Sequence, residues 1–245
     1  MINIVIPMAG KGSRFEKAGY TFPKPLIEIK GKPMIEIVVR SLNTKNPHKF
    51  IFICQKEHVK KYKIDEILKN LTDNCVIIPI ERVTQGAAAT VLLASGYMDE
   101  EEELIIANSD QYIEANIDDF IDEARRKNAD GAIMTFRSNH PKWSFVKTND
   151  NMEVTEVAEK KPISTEATVG IYYYKKSKYF IEAAKEMIRQ NIRVNNEFYV
   201  CPTYNQLILE GLKIISYQIN SNQMHGLGTP EDLNDFLNSE AYRKL

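Results

Sequence analysis

Short, nearly unbroken apolar runs recur along the first half of this chain, and each is followed by apolar residues at helical spacing. Ile4-Val5-Ile6, Phe50-Ile51-Phe52-Ile53-Cys54, Val76-Ile77-Ile78-Pro79-Ile80 and Leu104-Ile105-Ile106-Ala107 read as buried strands. Pro33, followed by Ile35, Val38, Val39 and Leu42, predicts a helix with proline at its first position. His58 to Leu71 predicts one helix with Ile64, Ile67, Leu68 and Leu71 on a single face, and Gln85-Gly86-Ala87-Ala88-Ala89 opens another. Leu26 to Ile29 reads as a short strand before a Lys30-Gly31-Lys32 turn. Continuous strands interleaved with helices predict a mostly parallel sheet with helices on both faces. Ligands bind such sheets at the carboxyl ends of the strands. The loops at Gly10 to Arg14, at Gln85-Gly86 and at Asn108 to Asp110 are expected at that edge.

The second half changes character. Helices are predicted over Asp118 to Arg126, over Phe180 to Ile188 and from about Pro202 to Gly211. Strands are predicted at Gly131 to Phe136, at Ala167 to Tyr174 and at Lys213 to Ile219. Ser144-Phe145-Val146 and Met152-Glu153-Val154, separated by Asn149-Asp150-Asn151, form a hairpin signal. Thr229 before Pro230 reads as a helix cap with proline in the first turn. Trp143 and Tyr172, Tyr173 and Tyr174 read as core and strand residues. No linker or repeat divides the chain, so residues 1–245 are expected to form one domain.

Composition narrows the partners. With 32 Lys+Arg against 33 Asp+Glu, no global field favours nucleic acid or an anionic membrane, so any anion site must be local. The three cysteines, Cys54, Cys75 and Cys201, have neither zinc nor disulfide spacing, and a reducing cytoplasm is the expected compartment. No apolar stretch approaches the roughly 20 residues that span a bilayer, and no basic segment precedes the first apolar run as in a signal peptide.

Candidate chemistry concentrates between Ile4 and Leu26. After the first strand, Ala9-Gly10-Lys11-Gly12-Ser13-Arg14 offers backbone donors beside two cations, and Pro23-Lys24-Pro25 holds a third in a stiff segment. That set suits a polyphosphate. Asp110, at the end of a buried strand, is either a magnesium ligand near phosphates or a turn carboxylate. Glu159-Lys160-Lys161-Pro162 brings two more cations. No Walker sequence, no nucleophile elbow and no Cys–His arrangement is present, and the glycine loop lacks the third glycine of a dinucleotide site.

Taken in order, Gly10-Lys11-Gly12-Ser13-Arg14-Phe15 with Pro23-Lys24-Pro25-Leu26, Gln85-Gly86-Ala87-Ala88, Asn108-Ser109-Asp110, Glu159-Lys160, Val169-Gly170-Ile171-Tyr172 and Gly228-Thr229-Pro230-Glu231-Asp232-Leu233 resemble the motifs of the sugar-phosphate nucleotidyltransferases, the nucleoside-diphosphate-sugar pyrophosphorylases. The resemblance spans nearly the whole chain. It implies a doubly wound, Rossmann-like sheet of the GT-A nucleotidyltransferase type with a small antiparallel extension on the acceptor side. Residues 1–115 would mainly bind the NTP and residues 116–245 the acceptor. It implies that Met8, Ala9, Gly10, Gly12, Ser13, Gln85, Gly86 and Asn108 bind nucleotide, and that Glu159 and Gly170 bind the acceptor. Arg14, Lys24 and Lys160 would be the catalytic cations, and Asp110 would hold Mg2+. The implied partners are an NTP, CTP or UTP by the Gln85 amide, and a sugar or polyol phosphate. Neither nucleic acid nor membrane insertion is implied, and a homo-oligomer is compatible.

Two departures stand out. Gly226 occupies the position where the family often has a second metal-binding Asp, so either Asp110 holds magnesium with phosphates and waters or another acid such as Glu231 or Asp232 helps, and Pro7-Met8 replaces the usual Leu-Ala. This version resembles a branch found among capsule and surface-polysaccharide genes. A GT-A glycosyltransferase using Asn108-Ser109-Asp110 as its acidic motif, or a non-catalytic nucleotide-binding module, are the other readings that the residues allow.

Overall fold

The computed structural model describes all 245 residues, Met1–Leu245. In chain order the strands are β1 (Ile2–Pro7), β2 (Glu28–Ile29), β3 (Lys32–Pro33), β4 (His48–Gln55), β5 (Cys75–Ile80), β6 (Glu103–Ala107), β7 (Gln111–Ile113), β8 (Gly131–Arg137), β9 (Ser144–Thr148), β10 (Val154–Glu159), β11 (Glu166–Tyr174), β12 (Ile214–Gln218) and β13 (Met224–Gly226).

Nine of them form the central sheet. β1 lies between β4 and β6 and pairs with both in parallel, and β5 extends the sheet beyond β4. β11 runs antiparallel between β6 and β8, and β12 follows β8 in parallel. The sheet is therefore mostly parallel, with β11 and, in the hairpin at its edge, β10 reversed. The β9–β10 hairpin joins the amino-terminal part of β11, through Glu166 opposite Val146 and Ala167 opposite Phe145. This is the antiparallel extension expected from the sequence.

Side chains alternate across the strands and bury both faces. Ile2, Ile4 and Ile6 pack with Val38, Leu68 and Phe120 from the helices Met34–Ser41, Ile64–Leu71 and Ile117–Arg126. Val5, Ile51 and Ile106 pack with Val91, Phe180 and Leu207 from Ala87–Leu92, Ser177–Arg189 and Thr203–Leu209. Tyr173 and Tyr174 are fully buried, and Tyr172 nearly so. A third, smaller cluster joins Phe15 and Met34 to Leu227, Leu233 and Phe236, fixing the end of the chain against its beginning.

Two local expectations change. The helix read over His58 to Leu71 is two helices, Lys56–Tyr62 and Ile64–Leu71, broken at Lys63, whose φ is 54°. The break lets Ile64 and Leu68 turn into the core while His58 and Val59 follow β4. Pro33 sits just before its helix, at the N-cap, because its backbone lies in β3 opposite Glu28 of β2. Thr229 caps Pro230–Leu237 as expected, its Oγ1 accepting from the Asp232 amide at 3.1 Å.

Candidate active site

The parallel register fixes where the loops meet. Pro7 ends β1 opposite Ile53 of β4, and the β1–β6 pairing carries Ala107 to the same edge. Over that edge opens a cleft of about 620 Å³, lined by Arg14, Lys24, Asn108, Asp110, Glu159, Lys160 and Gly170 among others. Seven of the expected site residues thus share one cavity. Met8, Ala9, Gly10, Gly12, Ser13, Gln85 and Gly86 do not line it.

Of those seven, the first five build the loop that leaves β1. Met8 and Ala9 are buried, and the Met8 amide donates to Ile53 at 2.8 Å, so β1 leads into the loop without slack. Gln55 holds the turn from outside, its Nε2 donating to the carbonyls of Ala9 at 3.2 Å and Gly10 at 3.0 Å. Gly12 takes φ 65° and starts the short helix Ser13–Lys17, accepting from the amides of Phe15 and Glu16. No protein acceptor takes the amides of residues 9–14. They form the donor set that a polyanion needs. Phe15, buried against Leu233, pins Arg14 at the mouth of the cleft.

Gly86 has a different reason for being glycine. Its φ is 119°, and a Cβ there would lie 2.5 Å from the Phe198 amide nitrogen and carbonyl oxygen. The close approach expected at this glycine is made by the chain itself: the Phe198 amide donates to Gln85 at 2.8 Å, and the Ala88 amide donates to Phe198 at 3.0 Å. The Gln85 side chain stays exposed beside the cleft.

Gly170 is equally constrained. β11 breaks register between Thr168 and Tyr172, where β6 ends and β9 begins. Gly170 sits in that notch at φ 90°, its carbonyl accepting from the Asn108 amide at 3.0 Å, and a Cβ there would overlap the side chains of Asn108 and Gln111. The notch is the floor of the cleft.

The charges are arranged unevenly. Lys24 Nζ lies 2.7 Å from Asp110 Oδ2, and Lys142 Nζ lies 2.5 Å from Asp232 Oδ1. Arg14 and Lys160 take part in no ion pair; Lys160 Nζ instead donates to the Tyr199 hydroxyl at 2.5 Å. Two cations of the cleft are therefore left for an anionic ligand, in a chain whose net charge is only −1. Glu159 is half-buried below Lys160 and accepts from the Ser144 hydroxyl. Desolvation pushes its carboxyl above the ordinary value, against the Ser144 bond and the Lys160 charge.

Asp110 is steadied from the far end of the chain. β7 pairs with β13, Gln111 opposite Gly226, and the Leu227 amide donates to the Asp110 carbonyl at 2.8 Å. At Gly226 a Cβ would lie 3.3 Å from Trp143 Cη2 and 3.5 Å from Asp232 Cγ, a close fit that small side-chain shifts would accommodate. Trp143 packs against the main core as expected, edge-on to Phe136, and its other side forms a wall of the cleft. Glu231 is exposed, whereas Asp232 reaches the cleft. Tyr199, Ser144 and Lys142 also line it. Ser144 belongs to the predicted hairpin, but no motif marks it, Lys142 or Tyr199 as a residue of the site.

No three His, Cys, Asp or Glu side chains stand together as an all-protein metal cage. A magnesium ion that keeps waters and substrate phosphates as its remaining ligands needs only one or two carboxylates, which Asp110 on the phosphate side of the cleft fits. No helix is long and apolar enough to cross a membrane.

Residues 4–233 match the family model described as nucleotidyl transferase. The chain is 26% identical over 237 residues to the UTP–glucose-1-phosphate uridylyltransferase AglF of Haloferax volcanii, covering 93% of this chain and 92% of that protein. It is 25% identical to the bifunctional protein GlmU of Thermodesulfovibrio yellowstonii, covering 95% of this chain and 50% of GlmU. The crystal structure of the nucleoside-diphosphate-sugar pyrophosphorylase from Vibrio cholerae RC9 superposes with a TM-score of 0.81 at 29% identity, covering 96% of this chain and 100% of that one. Together with a mostly parallel sheet whose strand ends carry the glycine loop, the cation pair and Asp110, these matches decide among the three readings open in the sequence: the chain belongs to the nucleotidyl transferase family and is an enzyme of the sugar-phosphate nucleotidyltransferase kind.

Proposed function

We propose that this enzyme transfers a nucleoside monophosphate, from UTP or CTP, to a sugar phosphate or polyol phosphate and releases pyrophosphate. The observation that carries this reading is the division of charge in one cleft: Lys24 beside Asp110 at its phosphate side, Arg14 and Lys160 free for anions. The nucleophile is the acceptor's phosphate oxygen, already ionised at neutral pH, so no general base is needed. The work left to the protein is to align two polyanions and offset their repulsion. Arg14 and the amides of the glycine loop hold the β- and γ-phosphates, Lys24 lies nearest the α-phosphate, and Lys160 holds the acceptor phosphate. Asn108 and Gln85 contact the nucleoside, while Glu159 and the Gly170 notch receive the acceptor's hydroxyl-bearing part. On this reading residues 1–115 mainly serve the NTP and residues 116–245 the acceptor.

Asp110 would hold a divalent cation, magnesium, with Asp232 as the nearest further carboxylate lining the cleft. Bound there, the ion would neutralise charge on the phosphate oxygens. The similarity to a UTP–glucose-1-phosphate uridylyltransferase supports UTP and a sugar 1-phosphate as the first pair to try. The Pro7-Met8 variant of the first loop supports a role in supplying activated sugars for capsule or surface polysaccharide.

The test is a pyrophosphate-release screen of the four NTPs against sugar and polyol phosphates with magnesium. Release with a pyrimidine NTP and one acceptor class is expected. Release only with a purine NTP would overturn the base assignment, and no release with any pair would overturn the acceptor class.

A further inference from the structure

Lys160 is held at both ends. Its backbone takes φ 55°, unusual for a side-chain-bearing residue, and its amide donates to Trp143 at 3.1 Å. Its ammonium donates to the Tyr199 hydroxyl at 2.5 Å and lies 4.5 Å from the centre of the same ring. A free lysine stem samples many rotamers, and its point charge has no geometry of its own. Here one phenol oxygen, at the edge of a ring that is itself held in place, fixes the ammonium.

The choice of a neutral partner matters. Lys24 meets a carboxylate, which offsets its charge. Tyr199 is half-buried, and burial with the Glu197 carboxylate nearby pushes its phenol well above the ordinary range, so it stays un-ionised. It fixes the Lys160 ammonium without neutralising it. One of three N–H donors is used, and two remain for a ligand.

Tyr199 is itself anchored. Its neighbour Phe198 is locked to the Gln85–Ala88 segment by two backbone hydrogen bonds, and nothing but glycine fits at residue 86 beneath it. The ammonium meant for the acceptor phosphate is therefore positioned from the loop assigned to the nucleotide.

We propose that Tyr199 is a positioning residue, holding the Lys160 ammonium fixed for the acceptor phosphate in register with the Gln85–Gly86 loop. This rests on Lys160 binding that phosphate.

The experiment compares Tyr199→Phe, Lys160→Met and the double variant. The probes are glucose 1-phosphate with UTP and magnesium for turnover, and inorganic phosphate for direct binding, which needs no turnover. Loss of one hydrogen bond to a charged group predicts a roughly three- to tenfold rise in acceptor KM and in phosphate Kd for Tyr199→Phe. UTP affinity and Tm stay as in the wild type. In the Lys160→Met background the tyrosine change adds nothing, because the two residues act as one unit. If Lys160→Met weakens phosphate binding but Tyr199→Phe does not, the positioning role falls and the Lys160 assignment stands. If Lys160→Met leaves both constants unchanged, the Lys160 assignment falls and the proposal with it. Equal effects of Tyr199→Phe with and without Lys160 mean a structural role and overturn the proposal.

Discussion

Lys24 and Asp110, 86 residues apart in the chain, meet at 2.7 Å across the mouth of the cleft. Both side chains are partly solvated, 20% and 27% exposed, so the pair is worth on the order of 1 kcal/mol. A polyphosphate with its cation can exchange partners with both groups at little cost. On the proposed reading, the ligand-free pair keeps the charges of Lys24 and Asp110 ordered without trapping them.

Lys24→Ala and Arg14→Ala are each expected to lower turnover by at least about tenfold, the usual size of a lost electrostatic contact to a reacting phosphate. Because Lys24 forms a weak pair and Arg14 none, Tm should move by no more than a few degrees. Steady-state pyrophosphate release and thermal unfolding measure the two effects. Near-wild-type rates in both variants would remove the glycine loop from the site.

Asp110→Asn keeps the size of the side chain and an oxygen for Lys24, but removes the negative charge. The variant should need more magnesium for half-maximal rate and bind the ion more weakly in calorimetry with NTP present. An unchanged titration would take Asp110 out of the metal site.

Gly170→Ala tests the notch. Alanine at φ 90° is strained, and its methyl overlaps Asn108 and Gln111. The cost should reach at least about 2 kcal/mol, a Tm loss of roughly 4–8 °C in a chain of this size. Asn108 is displaced by the same methyl, so nucleotide affinity should fall with stability. A variant with wild-type Tm would mean that the β11 notch relaxes freely.

Glu159 gives a pH signature. Burial raises its folded pKa above the ordinary value near 4.5. Between the two values the folded state binds the proton more tightly than the unfolded chain. Glu159 therefore favours the fold most below the unfolded pKa, and this contribution is lost as pH rises through the folded value. Glu159→Gln should remove that slope while still accepting from Ser144, so the variant should gain on the wild type as pH rises. Parallel curves of unfolding midpoint against pH would show that Glu159 titrates normally.

Strand and helix identities were legible locally because burial on both faces leaves continuous apolar runs that short-range pattern reveals. Arg14 and Asp110 were legible as candidate site residues because loops at parallel strand ends share one edge once β1, β4 and β6 are adjacent, whereas Lys160, after the antiparallel β10, was marked only by the resemblance of its Glu159-Lys160 motif. The break at Lys63 was not legible, since both halves keep helical periodicity and only packing against β4 and the core requires the turn. Trp143 was legible as a core residue but not as a wall of the cleft, since only the tertiary packing leaves one side of its ring facing the site.

The sequence by itself determined the sheet, the glycine loop and which cations to examine, since each rests on residues within a few positions of one another. The tertiary structure decided how those charges are used. Lys24 is matched to Asp110, Lys160 to a neutral phenol at Tyr199, Gly86 is reserved for Phe198, and Gly226 packs against Trp143. Each of these is a contact between residues tens of positions apart, fixed by how the strands stack and not by local pattern.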